Sequence, residues 1–185
     1  MDFKEVGIYL IKCFFLMAPL GLANMVPVLF KKTFKFLGGP VDRGRTMGGK
    51  PLFGKTKTWR GLIVAILFGE VAWLLLYWWC GYDGFNNFVF FDVRELPIYL
   101  GFLLGAGAII GDLIESFIKR RLSREASSRW FPWDNIDYLI GGFIVYLIFV
   151  SAPWHVYLFT LIVGLALHVL FNLLGYALKI KKEWW

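Results

Sequence analysis

The chain has 185 residues, 58% of them hydrophobic, 19% aromatic and 18% charged. Soluble domains average nearer half apolar and a quarter charged. With a mean hydropathy of +0.62, this composition excludes an ordinary water-soluble domain and indicates one built for a bilayer. The formal net charge is +7, and its placement carries more than its sum.

A helix needs about 20 mostly apolar residues to cross a bilayer. In chain order the candidates are 6–30, 59–79, 97–118, 136–150 (the shortest) and 153–178. The start, MDFKE, lacks the basic region and small-residue cleavage site of a signal peptide. Cys13 and Cys80 fall in apolar stretches with no metal-ligand spacing and read as small packing residues. Lys12, inside the first apolar run, reads as a snorkelling side chain. Apart from Lys4, Lys12 and Arg94, all 20 basic residues lie in 31–60, in 119–135 or in the C-terminal tail with Lys179, Lys181 and Lys182. The connection holding Asp83, Asp92, Arg94 and Glu95 is net acidic. Cytoplasmic loops are enriched in Lys and Arg, and alternation over five spans puts every basic segment on that side. Four or six spans would break the pattern. The expectation is an all-α polytopic membrane protein with five transmembrane helices, N-terminus outside and C-terminus cytoplasmic. Residues 1–185 then form a single membrane-embedded domain of the cell membrane, with its active site facing the cytoplasm.

The long 31–60 connection reads as too Gly-rich and charged for a regular hairpin, and connections of this length tend to be functional. Its segment GGKPLFGKTKTWRG, residues 48–61, combines Gly48, Gly49 and Gly54 with Lys50, Lys55 and Lys57 and the hydroxyls of Thr56 and Thr58. Glycines permit positive φ and close backbone approach, and the segment leads into a helix N-terminus, which favours anions. The string matches GxxxxGK[ST], yet a true P-loop needs a preceding buried strand, and here a membrane helix follows. A loop that only set topology would need charge without the glycines and threonines.

The second constellation is 111–137. Asp112, Glu115, Ser116 and Lys119 stand at i, i+3, i+4 and i+7, one helix face. Asp134 and Asp137 share a face if the fourth helix begins by Asp134, and Pro132 breaks the chain just before them. An ionised acid at mid-bilayer costs about 2.5–3.5 kcal/mol, so these acids should face one another, a polar cavity or a cation. Carboxylate oxygens suit Mg²⁺. Lys119, Arg120, Arg121, Arg124 and Arg129 lie between the two acidic pairs and can hold phosphate. Acids beside bases at a membrane surface point to a metal-dependent reaction on a phosphorylated lipid. A charge-paired helix end, with Lys119 or Arg120 as partner, is the plainer reading of Glu115. Glu70 must face inward, for a structural hydrogen bond or a site. Asn24, near a kink expected at Pro27, and the stripe of His168, Asn172, Tyr176 and Lys179 allow either packing or a polar cavity lining.

With these residues in place, the sequence resembles the CDP-archaeol synthase family of archaea, which are CTP-dependent cytidylyltransferases. The resemblance covers most of the chain. It rests on Asn24 and Pro27, on GGKPLFGKTKTWRG, on GDLIESFIKRR at 111–121, on Pro132 with DNID at 134–137, and on HVLFN with Tyr176 and Lys179. Ser116, Lys119, Arg120, Asp134 and Asp137 match the motif of the related CDP-diacylglycerol synthases. The Lys-Asp pair and His-Gly-Gly of the bacterial enzymes are missing, and Asn135 stands where Arg is usual, which fits the archaeal branch better. The resemblance implies transfer of CMP from CTP to 2,3-bis-O-(geranylgeranyl)-sn-glycerol 1-phosphate, giving CDP-archaeol and pyrophosphate, with Mg²⁺ as cofactor. It implies Asp112, Asp134 and Asp137 as the metal cage, with Lys119 and Arg120 neutralising triphosphate oxygens. Gly48, Gly49, Lys50, Gly54, Lys55, Lys57, Ser116 and Asn24 would bind substrate, and the lipid tails would lie between helices. Two other classes compete. A glycerol-phosphate acyltransferase needs the basic loops and not the acids. A small proton-coupled transporter could relay through Glu70, Asp112 and His168, but would be expected to show paired repeats.

Overall fold

The computed structural model describes residues 2–125 and 128–179; Lys181 and Lys182 lie outside the described residues. Among the described residues, five α-helices carry the chain: α1 (Phe3–Leu29), α2 (Trp59–Trp79), α3 (Leu100–Arg121), α4 (Trp133–Phe149) and α5 (Trp154–Ala177). Among the described residues, four segments are long and apolar enough to cross a membrane: Phe3–Lys32, Trp59–Trp79, Leu100–Arg121 and Trp154–Leu174. The protein is a multi-pass, mostly helical membrane protein. α4 is the shortest of the five helices, at 17 residues.

α3 is the central element. It packs on α1, α2 and α4, while α5 covers α1 and α4. Glycines allow this crowding. A Cβ on Gly69 of α2 would stand 2.8 Å from Gly101 O, and one on Gly105 would stand 2.8 Å from Ala65 O. On the next face of α3, a Cβ on Gly111 would overlap the Asp137 carbonyl oxygen, and one on Gly141 would overlap Gly107 O. Gly101/Gly105 and Gly107/Gly111 are two small-xxx-small pairs offset by six residues, which turns one about 120° from the other around the helix. Close approach of this kind drives helix association where lipid removes the hydrophobic incentive.

Several polar residues in the apolar runs have structural partners. Glu70 is buried in α2 and accepts from the Phe102 N–H at 2.9 Å, satisfying a first-turn donor of α3. The Lys12 ammonium stands 5.8 Å from the centroid of the Phe90 ring, a cation–π contact. Trp73, wholly buried, donates from Nε1 to Pro97 O at 3.1 Å. Asp2 and Glu5 form a reciprocal capping box at the start of α1.

The 31–60 connection departs from expectation. It does contain a regular hairpin, in which β1 (Thr46–Met47) pairs antiparallel with β2 (Lys50–Pro51). Gly48 and Gly49 turn it with φ of 58° and 74°, the positive-φ pair that a tight two-residue hairpin demands. Arg121, the last residue of α3, donates to the carbonyls of Met47, Lys50 and Pro51. Lys50 Nζ donates back to Arg121 O at 2.9 Å and Ser123 Oγ at 2.6 Å.

Behind the hairpin, buried Asp42 accepts from the N–H groups of Gly44 at 2.9 Å, Phe53 at 3.0 Å and Gly54 at 2.9 Å. Burial pushes its carboxyl up, but the backbone donors outweigh that and hold it below the usual carboxylate range. Its stabilising effect is therefore fully present above the ordinary carboxylate value and is lost as pH falls through the lower folded value. Asp42→Ala leaves the buried Gly54 N–H unpaired, at about 1–3 kcal/mol. Limited proteolysis should show residues 40–58 opening in the variant at neutral pH and in the parent only in acid. Equal protection of variant and parent at neutral pH would refute this role.

Candidate active site

α3 and α4 run antiparallel, so residues late in α3 face residues early in α4. α4 begins at Trp133, early enough for Asp134 and Asp137 to lie on the helix. One carboxylate oxygen from each of Asp112, Glu115 and Asp137 lies within 4.8 Å of the others, and Glu115 and Asp137 are buried. Of the expected cage of Asp112, Asp134 and Asp137, the first and last lie within this distance together with Glu115, and Asp134 lies one step further, beside Glu115 and Lys119. Antiparallel order is the cause. Asp137 sits level with Asp112 and Glu115, whereas Asp134, nearly a turn earlier, sits level with Lys119. Asp134 takes a hydrogen bond from Lys119 Nζ and another from the Trp130 N–H.

The ammonium groups around the cluster are ordered. Lys57 Nζ donates to Asp112 Oδ1 at 2.5 Å. Buried Lys119 approaches Glu115 Oε1 to 3.0 Å and donates to Ser128 O at 3.0 Å. Its approach to Glu115 is off the hydrogen-bonding direction, so Oε1 is buried without a hydrogen-bond partner. Glu115 thus pairs with Lys119 and also lies among the three clustered carboxylates. Arg120 is buried as well, with an unpartnered Nε. Counting Asp134, four carboxyl groups face two ammonium groups, an excess of acids in partly buried surroundings. That excess and the orphaned oxygen fit a divalent cation, and an all-oxygen donor set fits a hard one.

Two spaces meet at these acids. A cavity of about 460 Å³, within the usual range for ligand sites, is lined by Asn24, Lys31, Lys55, Lys57, Arg60 and Asp112, among others. Of its residues, Lys31 counts in the sequence only as a topology charge, and Arg60 belongs to the 48–61 segment. On the other side, a groove of about 330 Å³ between α3 and α4 reaches Glu115 and Asp137 and is otherwise lined by glycine, Ile, Val and Trp. Other expected site residues are placed elsewhere. Gly48, Gly49 and Lys50 serve the hairpin, and Gly54 serves the Asp42 turn at φ 98°. Thr58 caps α2, accepting from the Gly61 N–H at 3.2 Å. Ser116 is buried beside Glu115, donating at 3.4 Å to Oε2. Asp42, Gly107 and Gly141 carry no chemistry of their own and were not singled out from the sequence. The four-residue spacing of Gly107 and Gly111 is the signal that finds that crossing.

A chamber lined by lysines and an apolar groove, sharing one set of carboxylates, suit an enzyme that joins a phosphate-bearing solute to a lipid within the membrane. Comparison with known proteins gives this class a family. The family model for CarS-like CDP-archaeol synthase matches residues 6–185. Among curated relatives, the CDP-archaeol synthase of Pyrobaculum aerophilum is 36% identical over 147 residues, 79% of this chain and 82% of the relative. That of Methanocaldococcus jannaschii is 34% identical over 149 residues, 80% and 84% of the two chains. A solved structure described as an intramembrane enzyme for archaeal membrane lipids biosynthesis superposes with a TM-score of 0.69 at 27% identity, covering 86% of this chain and 91% of that one. The chain belongs to the CDP-archaeol synthase family. It is a nucleotidyltransferase of the CTP-dependent cytidylyltransferase class, and the acyltransferase and transporter readings fall.

Proposed function

We propose that this protein transfers CMP from CTP to the phosphate of 2,3-bis-O-(geranylgeranyl)-sn-glycerol 1-phosphate at the Asp112–Glu115–Asp137 cluster. The observation that carries this mechanism is that a cavity bearing Lys31, Lys55, Lys57 and Arg60 reaches Asp112 while an apolar groove reaches Glu115 and Asp137, members of the same carboxylate cluster. CTP occupies the polar cavity, its phosphates among Lys55, Lys57 and Arg60 and its base toward Asn24. The lipid phosphate enters from the groove. It is already an anion, so no general base is required. Its oxygen forms a bond to the α-phosphorus of CTP, the bond from that phosphorus to the bridging oxygen breaks, and pyrophosphate leaves with the electron pair.

Two negatively charged reactants must be brought together, so catalysis is positioning and charge neutralisation. Mg²⁺ is the cation that Asp112, Glu115 and Asp137 would hold, and when bound it would supply charge neutralisation at the transferring phosphoryl group. Lys119, kept in place by Asp134 and Ser128 O, presents its charge beside the cluster. The unpartnered Nε of Arg120 supports a role in binding phosphate oxygen. Gly48, Gly49, Lys50, Gly54 and Ser116 shape the site from behind instead of touching substrate.

The chain acts as a single domain with five spans, N-terminus outside and C-terminus cytoplasmic. α4, about 26 Å long at 1.5 Å per residue, reaches the short end of the spanning range. The side carrying the 31–60 loop, with nearly all the basic residues, is the one that faces the cytoplasm, where CTP is. Incubating purified protein with radiolabelled CTP, Mg²⁺ and the diether phosphate should yield lipid-linked CMP. EDTA should reduce turnover to background and excess Mg²⁺ should restore it. A folded sample forming no lipid-linked CMP would sink the proposal, and undiminished turnover in EDTA would remove the metal from it.

A further inference from the structure

The groove between α3 and α4 has a definite size and a definite polar end. The three crossing glycines, Gly107, Gly111 and Gly141, form its floor. Ile110 and Ile114 stand on one bank and Ile140 and Ile144 on the other, all of them more than a third exposed. Glu115 and Asp137 line one end, near Trp130 and Trp133, whose ring centroids are 6.1 Å apart. Tryptophan favours the level of the lipid headgroups. The floor is shallow and narrow, because the α3 and α4 backbones are in direct contact at Gly111–Asp137 and Gly107–Gly141.

An apolar cavity of about 150 Å³ holds one benzene ring. By that measure the groove, at about 330 Å³, holds roughly a dozen carbons. From Gly107 to the acids at Glu115 the groove runs eight residues along α3, about 12 Å at 1.5 Å per residue. One extended hydrocarbon segment fits that length and volume; two side by side do not.

We infer that the α3–α4 groove takes one hydrocarbon chain of the lipid phosphate and leaves the other in the bilayer, so that single-chain ether glycerol phosphates are also substrates for CMP transfer. This rests on the cytidylyltransferase reading of the site. The reaction is unchanged: the phosphate oxygen of the single-chain lipid bonds to the α-phosphorus of CTP and pyrophosphate leaves. Apolar recognition then comes from one chain, its end against the isoleucine banks and its phosphate at Glu115 and Asp137.

The test compares mono- and di-geranylgeranyl glycerol phosphates at equal mole fraction in proteoliposomes of the full chain. Removing one chain should change kcat/KM by about threefold or less; a loss of tenfold or more overturns the inference. Ile144→Trp, which fills the groove, should raise KM by about tenfold for both lipids, with kcat and the KM for CTP unchanged. A rise confined to the diether lipid would place the second chain there and also overturn it. Ile148→Trp, on the same helix and outside the groove, should change neither. A binding arm separates this failure from failure of the reaction itself. A single-chain ether phosphate carrying a diazirine should label α3 and α4 peptides, with labelling competed by the diether phosphate. Labelling without turnover supports the groove and strikes only the reaction; no labelling strikes the groove.

Discussion

Asp137→Asn is expected to slow CMP transfer by about 10³-fold, the upper range for removing one preorganised electrostatic group, while leaving a folded, detergent-stable protein. Asparagine has the volume of aspartate and keeps an oxygen for the Tyr138 N–H, which donates to Asp137 Oδ1 at 2.7 Å. The Gly111 crossing touches the Asp137 backbone and is not altered. What is lost is one of three carboxyl groups whose oxygens lie within 4.8 Å of one another. Cation affinity should therefore fall together with rate, and Mn²⁺ binding followed by electron paramagnetic resonance reads it without turnover. Glu115→Gln should behave alike, because Glu115 supplies the buried oxygen with no hydrogen-bond partner. Asp134→Asn should separate the two readouts. Its carboxylate holds Lys119 and the Trp130 N–H, so turnover should drop while Mn²⁺ binding stays near that of the parent. Should Asp134→Asn lose Mn²⁺ as fully as Asp137→Asn, the grouping of Asp112, Asp134 and Asp137 read from the motif would stand and the cluster with Glu115 would not.

The contrast shows what the sequence could carry. The helices were legible, because apolar length and bilayer thickness leave little freedom: the expected 59–79 span is α2 residue for residue, and the other four differ at their ends by a few positions. The acids of 111–137 were legible as a site because charge at membrane depth is costly. Which acids meet was not legible. Spacing along one helix says that Asp112, Glu115 and Lys119 share a face, yet the register against α4 decides that Asp137 meets Asp112 and Glu115 while Asp134 meets Glu115 and Lys119. That register is set by glycine contacts between helices. Part of the 31–60 loop is structural for a related reason. Its glycines and lysines look like a phosphate loop, but Gly48 and Gly49 make a hairpin turn, and Lys50 docks that hairpin on the end of α3. Asp42 organises the loop through contacts eleven and twelve residues away, beyond the reach of local patterning.

Because the register rests on glycine, Gly111→Ala should damage catalysis far more than stability. The added Cβ has no room, since it would overlap the Asp137 carbonyl oxygen and press on Gly141 Cα at 3.2 Å. Both neighbours are backbone, so neither can rotate aside, and α4 must move as a unit. Such overpacking typically costs about 1–3 kcal/mol, within the tolerance of many folded proteins. The same shift carries Asp137 away from Asp112 and Glu115, and a displacement of about 1 Å at a reacting centre can cost about 10²-fold in rate. The expected result is a modest drop in thermal midpoint, a loss of about 10²-fold in kcat and weaker Mn²⁺ binding. The KM for CTP should change little, because the residues lining the polar cavity come from α1, the loop, α2 and α3 and none from α4. Gly7→Ala, at a helical glycine with open space around its Cβ position, is the control and should leave rate and cation binding intact. If Gly111→Ala turned over CTP at the parental rate, close approach of α3 and α4 would not be what assembles the three carboxylates.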